Sequence, residues 1–155
     1  MKGTGLALSC LLSVGIGSIG VAAEMNVKAT ATYVNVSEHK TERAEGGSIL
    51  HLHNKGVVQS EDASSPLHLA QTNCFDTIIL GPEGSFVGGA GYCAAFDKDG
   101  DGYWNTWTGT DTGGKWDAYH GTGKFEGVTG TGTFTSDMMF PDRFAISFEG
   151  KLNTS

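Results

Sequence analysis

The sharpest chemical signal in this 155-residue chain is Asp97-Lys98-Asp99-Gly100-Asp101-Gly102, in which carboxylates alternate with other residues before a glycine. Three oxygens so spaced open a calcium loop, where the backbone folds around a hard cation. Position twelve of such a loop should be a bidentate acid, but here it is Thr108, and the flanks read as strands rather than helices. The same residues also make an Asp/Gly hairpin turn, since both types tolerate left-handed backbone. Read as an ion site, the ligands are Asp97, Asp99 and Asp101, and the ion, a structural calcium, steadies the rim without doing chemistry. The second constellation is His51 and His53. In a strand both imidazoles point to one side, with Leu50 and Leu52 on the other. A metal would need a third ligand such as His68 or His120; the plainer arrangement buries the leucines and leaves the histidines in solvent.

Aromatic residues form the third group. Tyr103 and Trp107 share one strand face, with Trp104 on the other, and Trp116, Tyr119 and Phe125 follow. Tyr103, Trp107, Trp116 and Tyr119 are the candidate ligand wall, and the same residues serve equally as barrel core. No nucleophile elbow, P-loop, paired zinc-ligand motif or dinucleotide fingerprint occurs, and no residue stands out as catalytic.

These side chains must be positioned by strands. No segment carries an apolar stripe at helical spacing, whereas period-two alternation runs through Asn26–Val36, Ile49–Val58, Cys74–Leu80, Phe86–Phe96, Tyr103–Thr108, Lys115–Tyr119, Val128–Ser136 and Arg143–Leu152. Residues 37–47 are polar and turn-like, and Glu61–Asn73 reads as a short helical turn or a crossing of one barrel end. Eight short strands favour an all-β antiparallel barrel, because closure removes exposed edges. The run Gly121–Phe134, GTGKFEGVTGTGTF, fits that reading: its glycines would weaken a helix but permit bends and close approach in a sheet.

Lys2, an uncharged run from Leu6 to Val21, and small residues at Val21-Ala22-Ala23 predict a signal peptide over residues 1–23 that would carry Cys10 away. The remainder, 24–155, is the size of one domain. It holds nine basic against seventeen acidic residues, a charge of about −8, which argues against nucleic acid or anionic lipid as partner. Cys74 and Cys93 are then the remaining cysteines. An exported chain meets an oxidising compartment, so a disulfide between them is predicted, with two buried thiols as the alternative.

The GTGKF element, the cysteine pair and Gly91–Gly109 (GYCAAFDKDGDGYWNTWTG) together resemble small secreted bacterial proteins of the allene oxide cyclase-like barrel superfamily, which includes the plant dirigent proteins. The resemblance covers roughly Cys74 to Phe134. It implies an eight-stranded antiparallel barrel with a partly apolar interior, which in the plant members holds a hydrophobic substrate and steers its cyclisation or coupling. The expected protein is therefore secreted or periplasmic, without stable membrane insertion. It binds a small hydrophobic ligand or a partner at the barrel mouth and requires no cofactor; a cofactor-free cyclase or isomerase is the alternative. A homo-oligomer is compatible with the family, but no interface is readable.

Overall fold

The computed structural model describes residues 23–140 and 143–154. Ala23 apart, the predicted leader lies outside the described residues. Eight strands follow in order: β1 (Ala23–Glu42), β2 (Ser48–Ser60), β3 (Gln71–Leu80), β4 (Phe86–Phe96), β5 (Gly102–Thr110), β6 (Gly113–Gly121), β7 (Thr129–Phe140) and β8 (Arg143–Thr154). Each pairs antiparallel with its neighbours in sequence, and β8 returns to β1, closing the barrel. No helix among the described residues is long and apolar enough to cross a membrane.

Alternation decides which side chains enter the bore. On β1, Val27, Ala29, Ala31 and Tyr33 are buried while Lys28, Thr32 and Val34 are exposed. The register carries this parity around the barrel to Val58, Cys74, Cys93, Tyr103, Trp116 and Leu152. Cys74 and Cys93 are directly paired on β3 and β4 and form the expected disulfide, with Cα atoms 4.1 Å apart.

One end of the bore is plugged. After β2 the chain crosses it, and Leu67 and Ala70 are sealed inside at 1 % exposure each. Leu69 adopts a left-handed φ of 63°, donating from its amide to Val58 O at 2.8 Å while Ala70 O accepts from Val58 N at 2.9 Å. The second plug interrupts the glycine-rich run: Gly123–Phe125 is a single 3-10 turn, and Phe125 packs against Tyr103 at 5.5 Å. That run is therefore two structures, a cap and the start of β7. In β7 and β8 the bore-facing Gly132 and Gly150 make room for a neighbour, because a Cβ on either would stand 2.5–2.6 Å from the Trp116 ring. The indole lies across strands that supply no side chain of their own there.

The polar segment expected as a turn is mostly strand. β1 runs on to Glu42, pairing with β2 as far as Glu42↔Ser48, but among the described residues its pairing with β8 reaches only Val34↔Arg143. Residues 35–42 thus stand above the barrel as one arm of a hairpin. A bulge at Val36 and the charged residues Glu38, Lys40 and Glu42 mark it as an outer strand.

Candidate functional site

The end opposite the plugs is open. Leu52, Ile78, Trp107, Phe134, Phe144 and Phe148 face inward by the same parity as the sealed core, yet each remains half-buried. Below them, Asp76 points into the bore from β3 and is 8 % exposed. Its two oxygens are held separately: Trp107 Nε1 donates to Oδ1 and Asn54 Nδ2 donates to Oδ2, each at 2.7 Å. Both donors come from residues distant in sequence, so the site exists only once β2 to β5 have paired.

Gly91 makes this contact possible. It sits between Asp76 and Trp107 in the register, paired with both. A Cβ there would lie 2.2 Å from Asp76 Oδ1 and 2.6 Å from Trp107 Nε1, so the hydrogen bond passes through the space a side chain would fill. The adjoining Cys74–Cys93 bridge ties β3 to β4 one bore-facing position away. Burial raises the Asp76 carboxyl above the usual carboxylate range, and the two hydrogen bonds pull it back only in part. Burial also raises the phenols of Tyr33, to about 12, and of Tyr103, so both are neutral donors at any ordinary pH. Tyr33 stacks on Phe144 at 5.2 Å, carrying the aromatic wall from β1 to β8.

The residues predicted as a ligand wall divide. Trp107 stands at the mouth, and Trp116 lies inward at 6 % exposure, while Tyr103 belongs to the plugged end at 5 %. Tyr119 points into solvent, since alternation from the inward Trp116 and Ala118 turns it outward, and the register shift between Trp104 and Asn105 leaves it the extra residue of β6. His51 and His53 face outward, as the inward leucines require. His51 Nδ1 lies 3.2 Å from Thr77 Oγ1, and His53 stacks on Phe75, which stacks in turn on Tyr92. His68 is engaged with Ser60 O, and His120 lies against Trp104, so neither joins the pair. Alongside Phe75 and Tyr92 an external groove of about 440 Å³ runs over Thr77 and Ala90.

Asp97, Asp99 and Asp101 do converge, and the Lys124 ammonium from the 3-10 turn lies among them, at 2.5, 2.9 and 3.8 Å. Hydrogen bonds from Lys98 and Lys124 hold the Asp99 carboxyl down to about 2, and the aspartates raise Lys124 in return. The turn also uses Asp97 Oδ1 to accept from the amides of Asp99 and Asp101.

Neither Asp76 nor Asn54 was singled out from the sequence, although the signal was present. With Leu50 and Leu52 inward, Asn54 must also be inward, and Cys74 and Ile78 impose the same face on Asp76.

Compared by sequence, the chain matches no protein-family model and no curated protein. Compared by structure, it is similar to two pterocarpan synthase dirigent proteins. Against GePTS1 the TM-score is 0.51 at 11 % identity, covering 86 % of this chain and 91 % of that one. Against PsPTS1 it is 0.50 at 11 % identity, covering 86 % and 95 %. At that identity the likeness concerns the backbone alone, and the fold of this chain is the eight-stranded barrel of the dirigent proteins.

Proposed function

We propose that this protein is an exported barrel that takes a small hydrophobic molecule into its open mouth above Asp76. One observation carries the reading: bore-facing apolar side chains are half-buried at one end, while at the other Leu67, Ala70, Phe125 and Leu152 are sealed. Apolar surface left facing inward at an opening gains about 25 cal/mol per Å² when a ligand covers it. Export is supported by the leader-like first residues and the disulfide, which persists in oxidising compartments. The dirigent fold of two pterocarpan synthases agrees with a barrel that holds small molecules.

The test is a titration with the neutral fluorophore N-phenyl-1-naphthylamine, following its emission and the quenching of Trp107. Saturable binding that a Leu52→Glu or Phe148→Glu variant weakens at least tenfold supports the mouth as the site. Binding unchanged in both variants, or no binding, refutes it.

Asp76 favours a second reading, a cofactor-free isomerase or cyclase. A carboxyl whose affinity for a proton is raised by burial can exchange one with a substrate held by the wall. Ligand extracted from the native protein and incubated afresh would be converted to an isomer by wild type and not by Asp76→Asn; no conversion by either leaves a binding protein.

A further inference from the structure

Two amides stand side by side where the raised hairpin meets the mouth. Asn35 on β1 and Asn54 on β2 are directly paired, and both follow the bore-facing parity of their strands. Each donates one N–H to an acid: Asn54 Nδ2 to Asp76 Oδ2 at 2.7 Å, and Asn35 Nδ2 to Glu38 Oε2 at 3.4 Å. Turning either amide over would set its oxygen against a carboxylate, so the acids fix both orientations. The carbonyl ends are left over. Asn35 Oδ1 and Asn54 Oδ1 are buried atoms without a hydrogen-bond donor, and Asn54 as a whole is 1 % exposed. Buried acceptors are almost always satisfied, so two orphans on paired residues call for a partner.

What this corner leaves over is mainly acceptor: two orphan amide oxygens and the remaining lone pairs of the Asp76 carboxylate. Lys40, further along the same face of β1, is engaged by Glu42 at 2.8 Å. Tyr33, two residues before Asn35 on that face, carries the stacked pair with Phe144. An alcohol brings one donor and a water two, and neither brings charge. A primary ammonium brings three donors, no acceptor and a positive charge, beside aromatic rings that favour cations. We propose that Asn35, Asn54 and Asp76 receive the ammonium group of a hydrophobic primary amine whose apolar body lies in the mouth, an inference that rests on the mouth being a ligand site. Both orphan oxygens are buried, and the Asn35–Glu38 contact beside them is long and exposed.

The experiment compares 2-phenylethylamine with 2-phenylethanol by calorimetry at neutral pH, alongside the naphthyl probe. The amine binds at least about tenfold tighter than the alcohol, the difference expected of charge-assisted hydrogen bonds. Asn35→Leu, which leaves Asp76 with both its donors, cuts that preference several-fold while the naphthyl probe binds as before. Asn35→Asp, which keeps the acceptor and adds charge, preserves or raises it and guards against misfolding of the leucine variant. Equal affinity for amine and alcohol, or a preference unchanged in Asn35→Leu, overturns the proposal while a bound naphthyl probe keeps the mouth intact as a site. If no probe binds, both readings fall.

Discussion

Gly91→Ala tests the site by adding one methyl group. The new Cβ would stand 2.2 Å from Asp76 Oδ1, 2.6 Å from Trp107 Nε1 and 2.7 Å from Phe75 O, all inside contact distance. The strand cannot move away cheaply, because β4 is bridged to β3 at Cys74–Cys93. The Asp76–Trp107 hydrogen bond must open, at about 1.5–3 kcal/mol for a bond to a carboxylate. Overpacking adds about 1–3 kcal/mol. A loss of roughly 3–5 kcal/mol is expected. Gly88→Ala, on the same strand, is the control: within 4 Å its Cβ would meet only Gly109 O, at 3.3 Å. It should be neutral or gain up to about 1 kcal/mol by restricting the unfolded chain. Urea unfolding followed by tryptophan fluorescence separates the two variants. With a slope of about 1–3 kcal/mol per M, the midpoints should differ by on the order of 2 M. Variants within about 1 kcal/mol of each other would mean that Asp76 and Trp107 are not held as described.

Asp76 also sets a pH dependence. Its folded pKa is raised, so its stabilising contribution is full below the unfolded value of about 4 and is lost as pH rises through the folded value. The stability of wild type relative to Asp76→Asn should therefore fall as pH rises above about 4, by at most ~1.4 kcal/mol per unit, and a flat or rising difference would contradict the burial of that charge. The Cys74–Cys93 bridge spans 19 residues, so the Cys74→Ala/Cys93→Ala double variant should lose about 3 kcal/mol in denaturant unfolding. Gly123 has φ +56°, and a Cβ there would lie 1.8 Å from Asp101 Oδ1. Gly123→Val should therefore lower folding yield while leaving probe affinity of the folded fraction unchanged; normal yield and melting temperature would show that the 3-10 cap tolerates a side chain.

The strands could be read from the sequence because a small barrel imposes period two on nearly every segment, and Phe86–Phe96 was found to the residue. The rest was hidden for separate reasons. Ser37–Glu42 looked like a loop because above the barrel neither face of β1 is buried, so no alternation of polarity marks the strand. Tyr119 groups with Trp116 by composition alone, for the two stand three residues apart and alternation sets them on opposite faces. The 3-10 turn at Gly123–Phe125 interrupts a run whose glycines suit a bend and a strand equally. Asp76 and Asn54 lay in plain alternation, but they belong to no motif. What makes them a site is a set of contacts across sequence separations of 22 and 31 residues, which appear only when β2 to β5 pair.

The indole of Trp116 fills a volume that belongs to three strands at once, since Gly132 and Gly150 contribute only their backbones beneath it. Such a barrel is bored rather than moulded: its internal diameter at mid-height is set by one removable piece. Trimming Trp116 would hollow a chamber against β7 and β8 while the disulfide still clamps β3 to β4. The same scaffold could thus admit larger guests by changes at one position, without renegotiating the hydrogen bonds that hold the wall together.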